Sequence, residues 1–176
     1  MNKNYIKQLA QKIKYIVTDV DGVLTDGSLT IDKDGNEAFG KFNIYDGFAA
    51  VMAKQSGIEI IVISGRKSLC TEQRCRKLGI ENCYTGIDDK AQQLAELVKQ
   101  LNINLSECMY IGDDLIDLKV MNMVGFKVAP KNALKDIKKI ADYVTKAKCG
   151  QGVLREVVDL LLKSQKKYKS LIESYK

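Results

Sequence analysis

The sequence predicts an α/β protein: a Rossmann-like parallel sheet with helices on both faces, a β-hairpin inserted after the first strand, and no further inserted domain. Three observations predict it. Short apolar runs at 15–18, 59–63, 108–111 and 124–129 read as strands of the buried type. Helical stretches alternate with them, which is the order of a parallel sheet covered on both faces. Polar residues then gather where the strands end: Asp19, Asp21, Ser64, Arg66, Asp113 and Asp114. In such sheets ligands bind at the carboxyl ends of the strands.

In chain order, the first strand (15–18) ends at Asp19. A polar hairpin follows over residues 28–44, with SLTI, a DKDG turn, then EAFGKFNI. Asp-Gly flanked by alternating residues is a hairpin signal. Residues 46–55 read as a helix stopped by Gly57. The strand at 59–63 ends at Ser64, the helix at 68–78 is followed by Gly79, and 83–84 is a brief strand. Ala91, Leu94, Ala95, Leu97, Val98 and Leu101 form an apolar stripe, which predicts an amphipathic helix over 88–101. The strand at 108–111 ends at Gly112, a helix runs through 118–121, Pro130 stops the strand at 124–129, and a late helix covers 153–162. The terminal segments, 1–14 and 163–176, are expected to fray or to pack on a neighbouring chain.

A chain of 176 residues suits one domain, 1–176, with a sizeable core. No apolar run approaches the roughly 20 residues needed to span a bilayer, and the N-terminus is too polar for a secretory signal. The expected location is cytoplasmic, away from membranes. Five cysteines, an odd number without a C-x-x-C pair, point to reduced and mostly buried thiols. The chain has no histidine, which excludes Ser-His-Asp and Cys-His devices and histidine metal sites. A metal site must then use oxygen ligands, which favours Mg²⁺. Net charge is +6 with a pI near 9.0, but the charges are spread and no nucleic-acid motif is present. A solvated basic tail with a locally basic pocket is the expectation, with no nucleic-acid partner.

Four groups of residues carry chemistry. Asp19-Val-Asp21-Gly follows the first strand, so two carboxylates can face one pocket. They repel one another unless a cation or shared proton intervenes. Gly112-Asp113-Asp114-Leu-Ile-Asp117 follows another strand and adds three more carboxylates. Each cluster could be only a capping loop, but two of them ending core strands favour one shared cation site. Ser64-Gly65-Arg66 offers a hydroxyl and backbone amides to a phosphate oxygen. Lys90 sits at a helix start, where the dipole disfavours a cation, so another partner is expected for it.

In this order, D-x-D, Ser, Lys and G-D-D-x-x-D, the chain resembles the haloacid dehalogenase superfamily of phosphatases from Tyr15 to Leu162. The resemblance implies that Asp19 is the nucleophile and Asp21 the general acid and base. It implies that Ser64 and Lys90 bind phosphate. Mg²⁺ would be held by Asp19, Asp113 and the backbone carbonyl of Asp21, with Asp114 and Asp117 in support. These roles suit phosphoryl transfer, which depends on positioning and neutralised charge.

Only 45 positions separate Asp19 from Ser64, and 26 separate Ser64 from Lys90. Neither gap can hold a cap domain, so the site lies open unless another subunit covers it. Within the superfamily the chain is most similar to the capless 3-deoxy-D-manno-octulosonate 8-phosphate phosphatases of lipopolysaccharide synthesis. The strings that carry this are DVDGVLTDG, FNIYDG, ISGR, TEQRCRKLGI, YIGDDLID, ADYVT and GQGVLREVVDLLL. That resemblance implies a homotetramer, a small acidic sugar phosphate as substrate, and a sugar pocket built from Asn43, Ile44, Tyr45, Asp46 and Gly47. Arg66 and Arg74 would contact the substrate's anionic groups. Gly150-Gln151-Gly152 is either a segment approaching a neighbouring site or a loop before a helix. Tyr45 and Val51 stand where such relatives often carry Arg, which keeps a nonulosonate or other sugar phosphate as an alternative substrate. Two other classes stay open: a phospho-acceptor receiver domain, disfavoured by motif order, and a non-catalytic binding module on the same scaffold, disfavoured by the presence of both Asp19 and Asp21.

Overall fold

The computed structural model describes residues 3–176. Six parallel strands form one sheet in the order β5-β4-β1-β6-β7-β8. They are β1 (Tyr15–Thr18), β4 (Glu59–Ser64), β5 (Asn82–Thr85), β6 (Cys108–Ile111), β7 (Phe126–Ala129) and β8 (Tyr143–Val144). The hairpin forms a separate two-stranded ribbon of β2 (Thr30–Ile31) and β3 (Glu37–Phe39). Among the described residues there is no inserted cap domain.

Successive side chains of a strand point to opposite faces, and both faces here are buried. Ile16, Ile60, Val62, Met109, Ile111, Phe126 and Val128 pack into one core. Its helices are α1 (Lys3–Lys12), α2 (Ile44–Gln55), α3 (Leu69–Leu78), α7 (Val153–Ser164) and α8 (Tyr168–Glu173). Val17, Ile61, Ile63, Cys108, Tyr110 and Ala129 face a second core with α4 (Lys90–Gln100), α5 (Leu118–Met121) and α6 (Lys135–Ile140). The strands therefore read as unbroken apolar runs, as two-sided burial requires.

Several local structures differ from the sequence expectation. The hairpin strands are shorter than 28–31 and 37–44, with an irregular register at Thr30 and Ile31. The second cannot run to Ile44, because Asn43 caps α2 by accepting a hydrogen bond from Tyr45 N at 2.8 Å. Helix α4 starts at Lys90 because Asp89 caps it, accepting from Ala91 N and Gln92 N at 3.0 Å each. The terminal segments are docked on their own chain. Helix α1 buries Ile6 and Ala10 in the first core. Beyond α7, α8 buries Leu171, while Lys167 Nζ donates to Ser56 O and Tyr175 Oη donates to Gln55. All five cysteines are free thiols, three of them buried.

Candidate active site

Parallel pairing brings three strand ends together. Strand β1 lies between β4 and β6, with Thr18 level with Val62 and Ile111. Asp19 continues the β1 ladder, its N–H donating to Ile111 O at 3.0 Å. Asp19 and Asp21 thus emerge beside Ser64 at the end of β4 and the loop after β6 that carries Asp113, Asp114 and Asp117.

Lys90 reaches into this point from the first turn of α4 and is only 3% exposed. Its ammonium lies 2.6 Å from Asp19 Oδ2 and 2.8 Å from Asp117 Oδ1. These two carboxylates are the partners that explain a cation at a helix N-terminus. Burial alone would lower the lysine's pKa, but Asp19 and Asp117 outweigh it and hold it above the ordinary value. The carboxylates are crowded in the opposite sense. Burial, then the charge of Asp117, push Asp19 up to about 6 against the pull of Lys90. Burial, then Asp19, Asp117 and Asp114, push Asp113 up to about 7. One lysine does not neutralise the cluster.

Carboxylate oxygens of Asp19, Asp113 and Asp117 lie within 4.8 Å of one another. Asp117, however, already has both oxygens occupied. Its Oδ1 accepts from Lys90 Nζ and from Tyr110 Oη, each at 2.8 Å. Its Oδ2 accepts from the backbone N–H of Asp113 at 2.9 Å and of Asp114 at 3.3 Å. Asp117, with two donors on each oxygen, therefore braces the loop and the lysine; Asp19 has one on each, Val20 N at 2.7 Å and Lys90 Nζ at 2.6 Å, and so with Asp113 keeps lone pairs for a cation. A hard divalent ion suits this all-oxygen donor set and offsets the charge that Lys90 leaves over. Gly22 makes room for Asp113: at φ +81° it lies directly against the Asp113 carboxylate, and a Cβ there would overlap it.

The other residues singled out from the sequence fall into three settings. Ser64 is buried at the end of β4, its hydroxyl donating to Arg66 O at 3.3 Å. Asp114 is exposed and caps the turn after β6, accepting from Leu115 N at 2.6 Å. At the start of α2, Ile44 and Tyr45 are exposed, whereas Asp46 is buried. Asp46 Oδ1 accepts from Arg155 N at 2.8 Å and so caps α7 from another helix. Burial pushes the Asp46 carboxyl up to about 6 despite the Arg155, Gly152 and Leu154 N–H groups. Arg74 packs its guanidinium over Gly47, and both line a small cavity with Asn43, Asp46 and Leu154.

Arg66 is engaged in a way that local sequence does not suggest. Its Nε and Nη2 donate to the two oxygens of Asp21 at 2.8 and 3.0 Å, and Thr25 Oγ1 donates to the same carboxylate at 3.1 Å. Tyr110 was also beyond sequence reasoning, since a tyrosine inside an apolar strand reads as core.

The segment around Gly150 lies on its own chain's loop. Gly150 N donates to Val23 O at 2.9 Å, and Asn43 Nδ2 donates to Gly150 O at 3.2 Å. Gly150 has φ +66°, and a Cβ there would come within 2.6 Å of Asp26 N and 2.8 Å of Thr25 C. Gly150→Ala is therefore expected to cost about 2–3 kcal/mol through strain and overpacking. Thermal melting checks this, and an unchanged midpoint would show that the two loops are not pressed together.

A family model for haloacid dehalogenase-like hydrolases matches residues 85–157. The 3-deoxy-D-manno-octulosonate 8-phosphate phosphatase of Escherichia coli K12 is 42% identical over 158 residues, covering 90% of this chain and 84% of that protein. The crystal structure of the phosphatase of the same name from Moraxella catarrhalis, in complex with magnesium ion, phosphate ion and KDO, superposes with a TM-score of 0.95. It is 39% identical, with 99% of this chain and 100% of that chain covered. The cobalt-bound Haemophilus influenzae phosphatase gives a TM-score of 0.87 at 36% identity, over 91% of this chain and 93% of that one. With the strand order, the acidic cluster and the lysine in place, the chain belongs to the 3-deoxy-D-manno-octulosonate 8-phosphate phosphatase family of haloacid dehalogenase-like hydrolases.

Proposed function

We propose that this chain is a Mg²⁺-dependent phosphatase that hydrolyses 3-deoxy-D-manno-octulosonate 8-phosphate to the free sugar acid and phosphate, in lipopolysaccharide synthesis. The observation that supports this most is the buried Asp19–Lys90–Asp117 group, with Asp113 beside it, at the ends of β1 and β6. Asp19 attacks phosphorus as the P–O bond to the sugar breaks, giving an aspartyl-phosphate. Asp21 gives its proton to the departing sugar oxygen, then takes one from the water that attacks the aspartyl-phosphate. Phosphate leaves and Asp19 is restored. Ser64 and Lys90 hold the phosphoryl oxygens. Asp19, Asp113 and the backbone carbonyl of Asp21 would hold Mg²⁺, which would supply neutralisation of phosphoryl charge. Asp114 and Asp117 keep the loop and Lys90 in place.

Asn43, Ile44, Tyr45, Asp46 and Gly47, with Arg66 and Arg74, are assigned to the sugar-acid end of the substrate. The chain acts as a single domain in the cytoplasm, and as a homotetramer. Among the described residues no helix is long and apolar enough to cross a membrane. The ribbon of β2 and β3 supports assembly: Ile31 and Phe39 are 58% and 60% exposed on a two-stranded element that has little stability alone.

Phosphate release tests the proposal. With Mg²⁺, octulosonate 8-phosphate is expected to be turned over in preference to nonulosonate and hexose phosphates, and EDTA is expected to abolish the activity. Preference for another sugar phosphate would move the substrate and leave the mechanism; metal-independent release would remove the mechanism.

A further inference from the structure

We propose that Glu37, on the hairpin, is a positioning residue for proton transfer to the leaving group, acting through Arg66 on Asp21. The proposal rests on the roles assigned to Asp21 above. Glu37 is the point where the hairpin reaches into the site. Most of β2 and β3 is exposed, but the Glu37 side chain is only 15% exposed. Its Oε1 lies 3.0 Å from Arg66 Nη1, and its Oε2 accepts from Ser68 Oγ at 2.7 Å. Ser68 is itself buried and caps α3, accepting from Thr71 N at 3.1 Å. Glu37 is thus anchored to a helix N-terminus rather than to solvent.

The geometry on Arg66 makes this anchoring matter. One edge of the guanidinium, Nε with Nη2, grips Asp21 through two hydrogen bonds. The remaining nitrogen, Nη1, belongs to Glu37. A planar guanidinium held on two sides by two carboxylates has its plane and its in-plane rotation set. Without Glu37, only Asp21 would orient Arg66, and Asp21 would keep Thr25 Oγ1 at 3.1 Å as its one fixed side-chain donor. Asp21 would then approach the sugar oxygen less well, and misplacement by about 1 Å can cost about 100-fold in rate. Nothing in this chain of contacts touches the attack of Asp19 on phosphorus. Glu37 therefore acts on the two proton transfers of Asp21, to the leaving oxygen and from the attacking water, and not on the attack of Asp19.

That separation gives the test. p-Nitrophenyl phosphate releases a stabilised phenolate that needs no proton, while the sugar alkoxide does. For Glu37→Gln and Glu37→Ala, kcat/KM for octulosonate 8-phosphate is expected to fall about 10- to 100-fold, with a fall in kcat as the larger part and a smaller rise in KM through Arg66. On p-nitrophenyl phosphate the same variants' kcat/KM, which reports only the steps up to loss of the phenolate, is expected to stay within about threefold of the unmodified protein, while kcat falls where hydrolysis of the aspartyl-phosphate limits turnover. Equal losses of kcat/KM on both substrates would mean that Glu37 only supports the fold, and no loss of kcat/KM on either would mean that Arg66 does not need it; either result overturns the inference. Failure of the unmodified protein to release phosphate from the sugar phosphate would instead remove the proposed function itself.

Discussion

Asp19→Asn is expected to abolish phosphate release, by about 10⁴-fold or more, the scale on which loss of a covalent nucleophile acts. The substitution keeps the side chain's shape and removes the attacking oxygen's charge. Its cost to the fold is expected to be small because two effects offset one another. Lys90 loses a partner at 2.6 Å but keeps Asp117 at 2.8 Å. In return the site loses one carboxylate from a cluster where burial, and then the charge of Asp117, already push Asp19 up to about 6. Thermal melting should therefore move by no more than a few degrees. Rapid acid quench with the substrate, followed by mass measurement, should show one added phosphoryl group on the unmodified protein and none on the variant. A variant that turned over normally would end the assignment of Asp19 as nucleophile.

The parts of this site that could be read from the sequence share a physical property. Each follows a buried apolar strand, so the end of the strand fixes the residue's position within a position or two. Asp19, Ser64 and Asp113 are of this kind, and Lys90 was legible because a lysine in a first turn is electrostatically out of place. What stayed hidden depends on contacts between distant residues. Arg66 reads as an anion-binding arginine, and its pairing with Asp21 and Glu37, 45 and 29 positions away, left no trace in the local sequence. Asp46 looked like part of a sugar pocket and also caps α7, over a hundred positions later. Of the missed elements, α1 is as long as α3 but mostly polar, and α6, α8 and β8 are short, with six, six and two residues. Such pieces have too little intrinsic stability to leave a local signal and are held by docking, as Leu171 holds α8.

Lys90→Met is expected to have the largest combined effect on stability and turnover. The side chain is 2% exposed and, among the described residues, is the one cation bonded to both Asp19 and Asp117. Methionine fills most of its volume but leaves those buried carboxylates without it. Breaking a buried pair by removing one partner costs about 3–5 kcal/mol. The loss should depend on pH, and its sign follows from the carboxyl groups. Asp19 and Asp113 already sit near 6 and 7, above the ordinary carboxylate value of about 3.9. A carboxyl whose pKa is raised by folding contributes stability at low pH that is lost as pH rises through the raised value. Without Lys90 both groups move further up. The deficit of the variant, measured by urea unfolding in EDTA, should be small near pH 4 and grow through pH 6–8. Turnover at neutral pH should fall about 100- to 1,000-fold, since a preorganised charge on the phosphoryl oxygens is lost. A deficit of equal size at pH 4 and pH 8 would mean that Lys90 stabilises the fold through its packing, and that the charge balance drawn here between one lysine and its carboxylates is wrong.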